Sequence, residues 1–325
     1  MKRSIKILLF ALLSVILAAC TAENDDKNGS SSKEDQITIQ GTNGKVTLDG
    51  PAKKVVVLEW TYAEDLLALG VQPAGMADIE EYHNWVNIDA ELSPDVVNVG
   101  GRQEPSLEAI ASIEPDLIIG VSFRHDAMLK DLESIAPTVI FNPYPEDESI
   151  DLYQEMVTTF NEIAKAVGKT EEAETVLANL DKVYEDAQEK IDNANLKTKD
   201  VLLTLAYTGP QAPEIRVFTP NSMASIILER IGLHNVHKPE QFEVFGSSTY
   251  NVEGITKYED ANYLYIVQDN DNIYEKQLKE NPVWKNLNFV KENRLYALGG
   301  DTWLYGGPLS AETFVNRILQ TLVTN

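Results

Sequence analysis

Two arginines sit where chemistry would be expected. Arg102 lies in Gly101-Arg102-Gln103 and Arg124 in Val121-Ser122-Phe123-Arg124, in a chain of 27 basic and 51 acidic side chains. A planar guanidinium is suited to bidentate recognition of carboxylate or other anionic oxygens. The competing reading pairs each arginine with a nearby glutamate on the surface, and the sequence leaves both open. Aromatic and polar residues recur at comparable places: Glu59-Trp60-Thr61-Tyr62, Tyr207, Phe218 and Thr302-Trp303-Leu304-Tyr305-Gly306-Gly307. By period-2 alternation Arg216 shares a strand face with Phe218. No Ser-His-Asp or Cys-His set is evident, and neither a P-loop nor a glycine-rich dinucleotide fingerprint follows Leu58, so the residues favour binding over turnover. His234-Asn235-Val236-His237 has a spacing that could bring two imidazoles to a metal. Both, however, follow Gly232 in an expected surface loop, with His83 and His125 in separate loops. Met76, Met128, Met156 and Met223 read as core packing rather than haem ligands.

The elements that would position these residues alternate. Ile37 to Leu48 alternates around Thr42-Asn43-Gly44, a hairpin signal. Val55-Val56-Val57-Leu58 is a short apolar run rich in β-branched residues, expected as a buried parallel strand. A helix is expected over Ala63–Leu69, ending at Gly70. Strands are expected over Val71–Met76, Val96–Val99, Leu117–Ile119 and Thr138–Phe141, with helices from Leu107, capped by Ser106, and over Met128–Ile135. A long amphipathic stretch runs from Ile150 to Val167, and a second helix from Thr170 to about Ala194. Alternation resumes with strands at Val201–Ala206, Ile215–Phe218, Tyr263–Gln268 and Leu295–Ala297, and helices at Ser222–Ile231 and Leu309–Val323. The pattern predicts an α/β protein: a first lobe over 37–148, an interlobe helix over 149–168 and a second lobe over 169–325. In open parallel sheets, ligands bind beyond the carboxyl ends of the strands, where the arginine and aromatic loops fall.

The amino terminus concerns location. Lys2, Arg3 and Lys6 precede an apolar run from Ile7 to Leu17, then Ala18-Ala19-Cys20, the only cysteine of 325 residues. Residues 1–19 therefore read as a cleavable signal peptide, since the run is too short to span a bilayer of about 30 Å. Leu17-Ala18-Ala19-Cys20 resembles the lipobox of bacterial lipoproteins, which implies a lipidated Cys20. With one cysteine there is no disulfide framework. Residues 20–36 carry no apolar side chain larger than alanine after Cys20 and read as a flexible tether. The formal charge is −24, and removing Lys2, Arg3 and Lys6 with the signal lowers it by three. So acidic a balance argues against nucleic acid and against adsorption to anionic lipid.

Longer segments carry a family resemblance. VVVLEWTYAEDLLALGVQPAGMAD, VGGRQEPSLEAIASIEPDLIIGVS and WLYGGPLSAETFVNRIL resemble the bacterial substrate-binding proteins for ferric hydroxamate siderophores, over about residues 53–325. The resemblance implies two Rossmann-like lobes joined by one rigid helix, no enzymatic activity and no cofactor of the protein's own. It also implies a monomer that captures a ferric siderophore, with the iron held by the siderophore, and delivers it to an ABC permease with its ATPase. Arg102 stands at the family's ligand-contacting arginine, and Phe123 with Arg124 at the place of an aromatic contact, which suggests a more anionic ligand such as a citrate-hydroxamate. Phe245-Gly246-Ser247 stands where the family has Trp-Gly-Ser. Trp60, Tyr62, Ser122, Tyr207, Arg216, Phe218, Trp303 and Tyr305 complete the expected ligand-binding set. Glu108 and Glu253 match the acidic residues, one per lobe, that dock on the permease, and both are also placed to favour a helix dipole. Other readings stay open: a receptor for haem, cobalamin or ferric citrate, a free-metal receptor, or a surface hydrolase. The location implied is the outer face of the cell membrane, of Gram-positive type.

Overall fold

The computed structural model describes residues 36–323; the expected signal peptide, Cys20 and nearly all of the tether lie outside them. A hairpin of β1 (Ile37–Gly41) and β2 (Gly44–Leu48) opens the described chain. Five parallel strands follow: β3 (Val55–Val57), β4 (Gly75–Met76), β5 (Val97–Asn98), β6 (Leu117–Val121) and β7 (Thr138–Phe141), in the spatial order β5-β4-β3-β6-β7. Their side chains face two ways. Val55 and Val57 pack into one buried cluster and Val56 into another, as do Leu117, Ile119 and Val121 against Ile118. Burial of β3, β6 and β7 on both faces accounts for their uninterrupted apolar runs, whereas the edge strand β5 is exposed. Helices α1 (Trp60–Ala68), α2 (Ile79–Trp85), α3 (Leu107–Ile113), α4 (Ser122–His125) and α5 (Leu129–Glu133) connect these strands. Ser106 caps α3 by accepting from the Ala109 amide, as its position predicts.

The interlobe connection is α6 (Leu152–Ala166), whose Asp151 cap accepts from the Gln154 amide. Its first turns bury Leu152, Tyr153 and Met156 in the core of the second lobe. Its last turns bury Phe160, Ile163, Ala164 and Ala166 in the core of the first. One helix thus belongs to two cores, which holds the lobes on a stiff rod rather than on a loop. After α7 (Thr170–Asn193) the second sheet is built from β8 (Asp200–Thr208), β9 (Pro213–Phe218), β10 (His234–Asn235), β11 (Ser247–Tyr250), β12 (Asn262–Val267) and β13 (Leu295–Ala297). The order is β11-β9-β8-β12-β13, with β10 also beside β8. It is mixed: β8, β12 and β13 run parallel, whereas β9 is antiparallel to β8 and β11 to β9. Only four residues separate β8 from β9, too few for the crossover that a parallel pair requires. Helices α8 (Met223–Arg230), α9 (Pro282–Asn286), α10 (Asn288–Lys291) and α11 (Pro308–Ile318) complete the lobe.

The lobes are also joined by a shared helix cap. Glu64 of α1 is fully buried, and its carboxylate accepts from the Gly307 amide (2.8 Å), the Ser310 amide (2.7 Å) and the Ser310 hydroxyl (2.6 Å). These are orphan donors of α11, whose own cap residue, Gly307, offers no side chain. A Cβ at Gly306 or Gly307 would collide with the Glu64 or Asp65 carboxylate, so glycine is what permits the approach. No helix among the described residues is long and apolar enough to cross a membrane.

Candidate functional site

In the first sheet the chain runs outward from β3 through β4 to β5, then returns beside β3 with β6. The carboxyl ends of β3 and β6 therefore flank the topological switch point. Glu59 and Trp60 leave β3 there, and Ser122, Phe123 and Arg124 leave β6. Arg102 comes in from the loop after β5. A cleft of about 380 Å³ opens at this point, lined from the first lobe by Glu59, Thr61, Arg102, Phe123, Arg124, Pro143 and Tyr144. Facing them across it are Arg216, Phe245, Ser247, Thr249, Trp303 and Tyr305. The volume lies within the roughly 300–1,000 Å³ of small-molecule sites.

Both arginines of the first lobe converge on one carboxylate. Arg102 Nη1 donates to Glu59 Oε1 at 2.8 Å, and Arg124 Nη1 donates to Glu59 Oε2. Glu59 itself is only 6 % exposed, and its Oε1 also accepts from the Trp60 amide. Arg102 Nε donates to Asp78 at 3.3 Å, while its guanidinium carbon stands 3.4 Å from the centre of the Trp60 ring, a stacked cation–π contact. Arg124 lies 4.5 Å from the centre of Phe123 and keeps its buried Nε without a partner. In the opposite wall, Arg216 Nη1 donates to the Tyr305 hydroxyl at 3.0 Å. The open question about Arg102 and Arg124 thus has a double answer: both pair with a glutamate, and both line a cleft.

Aromatic rings form half of the remaining wall; Trp60, expected there, is buried behind it and is not part of the wall. Trp60 and Trp303 meet edge to face at 5.2 Å, and Trp303 meets Tyr305 at the same distance. Across the mouth, Tyr144 touches Phe123 (5.5 Å) and Phe245 (5.1 Å), linking the lobes. Phe245 is 57 % exposed and Phe123 47 %, unusual for phenylalanine and suited to covering an apolar ligand arm.

Some expected residues lie elsewhere. Tyr62 and Phe218 are fully buried and line, with Asp65 and Glu155, a small cavity of about 40 Å³ that shares Thr61, Tyr144, Phe245 and Tyr305 with the cleft. Ser122 is half-buried at the start of α4 and is not part of the cleft wall. Tyr207 is half-buried at the edge, donates to Glu214 at 2.8 Å and lies 5.7 Å beneath Arg216. Glu108 and Glu253 are exposed, on α3 and on the short 3-10 turn Glu253–Tyr258.

Sequence pattern does not single out three residues that the structure brings to the site. In the sequence Glu59 is only one member of its loop, because its two arginine partners lie 43 and 65 positions away. Tyr144, between Pro143 and Pro145 just after β7, carried a signal in that proline-flanked aromatic. His125 is fully buried; its Nδ1 accepts from the Val121 amide, so Nε2 carries the proton and donates to the Arg102 carbonyl at 2.9 Å. Burial pushes its pKa down, which keeps it neutral and fixes the backbone that presents Arg102. His237 is also buried, against Tyr258 and Ser248, and burial with Lys257 nearby lowers it to about 4. His234 pairs with Glu229 on the surface. No group of three His, Cys, Asp or Glu among the described residues is arranged to hold a metal ion.

Comparison with known proteins agrees with this architecture. The chain is 30 % identical over 320 residues to the Fe(3+)-citrate-binding protein YfmC of Bacillus subtilis, covering 96 % of each chain. It is 30 % identical over 272 residues to the iron(3+)-hydroxamate-binding protein FhuD of Escherichia coli, covering 83 % of this chain and 86 % of that one. The structure of FhuD from Vibrio cholerae with Fe3+-Desferal bound superposes with a TM-score of 0.75 at 25 % identity, over 83 % of this chain and 98 % of that one. Two α/β lobes on one helix, a cleft at their strand ends and a match over residues 55–302 make this chain a member of the periplasmic binding protein family, a family of receptors rather than enzymes.

Proposed function

We propose that the chain is a lipid-anchored extracytoplasmic receptor that captures a ferric siderophore of hydroxamate or citrate-hydroxamate type and delivers it to an ABC permease. One observation carries the ligand class: three guanidiniums from two lobes face one cleft together with the five aromatic rings of Phe123, Tyr144, Phe245, Trp303 and Tyr305. A ferric siderophore is a compact complex with oxygen donors and alkyl arms. Arginines engage carboxylate or hydroxamate oxygens, and Trp303, Tyr305, Phe123 and Phe245 cover the arms. The iron already has its ligands within the siderophore, so the protein contributes recognition of the complex and no metal ligands. Glu108 and Glu253 are the exposed carboxylates, one per lobe, that dock on the permease. Cys20, outside the described residues, is the anchor, after a signal peptide over 1–19 and before a tether reaching residue 36. The lobes comprise 37–148 and 169–325, on the helix of 149–168, and the receptor works as a monomer on the Gram-positive cell surface.

A second reading, ferric citrate itself, is favoured by the likeness to YfmC over nearly the whole chain. Intrinsic fluorescence separates the two, since Trp303 lines the cleft and Trp60 packs against it. Residues 21–325 are titrated with ferric citrate-hydroxamate, trihydroxamate and catecholate siderophores, ferric citrate, haem and cobalamin. Saturable quenching at submicromolar hydroxamate siderophore supports the proposal. Response to ferric citrate alone selects the second reading, and response to haem or cobalamin alone overturns both.

A further inference from the structure

The carboxylate that joins Arg102 and Arg124 is placed to decide how much negative charge the cleft accepts. Glu59 leaves β3 at the switch point and uses one oxygen for each arginine, so the two guanidiniums form a fixed fork around a charge supplied by the protein. Asp78 takes a second position on Arg102. Three guanidiniums therefore face Glu59 and Asp78, leaving one net positive charge to be matched by a ligand. Arg216, whose hydrogen bond goes to the neutral Tyr305 hydroxyl, is the guanidinium of the three that carries no carboxylate and is open to it. Burial makes this carboxylate count for more than a surface charge would, because charge interactions strengthen as water is excluded.

We propose that Glu59 sets the charge preference of the cleft: as a resident counter-ion it positions Arg102 and Arg124 and selects ligands of low net charge over polyanionic ferric chelates. The assignment rests on the siderophore reading above. It follows that neutralising Glu59 at constant shape frees both guanidiniums and raises the net charge of the site from one to two.

The test compares wild type, Glu59→Gln and Glu59→Asp in titrations with two probes, ferric dicitrate and the Fe3+–desferrioxamine complex, which carries no carboxylate. The expected result for Glu59→Gln is a shift of at least tenfold in the ratio of the two dissociation constants towards ferric dicitrate, with steeper salt dependence for that ligand. Glu59→Asp keeps the charge and shortens the side chain. It weakens both ligands yet retains the wild-type ratio. Equal weakening of both ligands by Glu59→Gln, with an unchanged ratio and salt slope, overturns the proposal and leaves Glu59 a structural residue. Wild-type protein that binds neither probe, nor any other ferric chelate, overturns the siderophore reading and this assignment with it. Thermal unfolding of each variant separates a changed preference from a damaged fold, which lowers affinity for both probes without altering their ratio.

Discussion

At the scale of single residues, the cleft depends on pre-positioning. Arg102 is held from four sides: by Glu59, by Asp78, by the Trp60 face and, through its backbone carbonyl, by His125. A guanidinium so fixed loses little freedom when a ligand oxygen replaces solvent, which is where affinity is gained. On the proposed reading, replacing Arg102 by alanine removes a charged hydrogen bond to the ligand and leaves Glu59 with Arg124 as its one ion-pair partner. The expected loss is about 2 kcal/mol, close to thirtyfold in dissociation constant; unchanged affinity by calorimetry removes Arg102 from the site. Phe245→Ala, at the exposed rim, costs less, about 1 kcal/mol, and a larger loss than that of Arg102→Ala would reverse the ranking. Residue type and loop were legible for Arg102, Arg124, Trp303 and Tyr305, because each follows a recognisable strand or opens a helix. The role of Glu59 was not, since an ion pair spanning 43 or 65 positions is set by tertiary packing and leaves no local pattern.

At the scale of elements, α1 packs on α6 and α11 beneath the cleft, with the Glu64 and Asp65 carboxylates buried and that of Glu155 half-buried. Glu64 serves α11 as its cap, so Glu64→Ala leaves the Gly307 and Ser310 donors unpaired in the interior. About 2–4 kcal/mol of stability should be lost, read as a fall in unfolding temperature; an unchanged midpoint contradicts the shared cap. Glu155, on α6, is raised to about 7 by burial, with only the Thr159 hydroxyl opposing. Burial, above all, also raises Glu64 and Asp65. A raised carboxyl stabilises the fold fully below its unfolded value, near 4.5, and loses that contribution as pH climbs through 7. Between pH 5 and pH 8 wild type should lose on the order of 2–3 kcal/mol more than Glu155→Gln in denaturant unfolding. Parallel profiles would show that Glu155 ionises without cost. Parallel strands of the first lobe were readable from their apolar runs, and α6 from its amphipathic length. The antiparallel β9 and the strand β11 were harder to see as such: β9 reads as a strand of either direction, and Ser247-Ser248-Thr249-Tyr250 has no apolar alternation.

At the scale of the whole molecule, one helix rooted in two cores and a cap shared between lobes favour a small change of angle on binding over a wide hinge. Further hydrogen bonds span the lobes at the far edge, where the Asn87 side chain donates to Asp301 at 2.7 Å and Gln268 donates to the Asn84 carbonyl at 3.1 Å. A receptor of this build can present one exposed carboxylate from each lobe, and Glu108 and Glu253, both exposed, are the proposed pair. Changing both to alanine should leave ligand affinity intact and stop siderophore-dependent uptake in cells; normal uptake removes them from docking. The central claim is that the cleft recognises a ferric siderophore through its arginines and aromatic walls. Its most direct test is calorimetric titration of residues 21–325 with a citrate-hydroxamate siderophore in its ferric and iron-free forms. Saturable submicromolar binding of the ferric complex, much weaker for the iron-free form, is the predicted result. Equal affinity for both forms, or no binding of either, would contradict it.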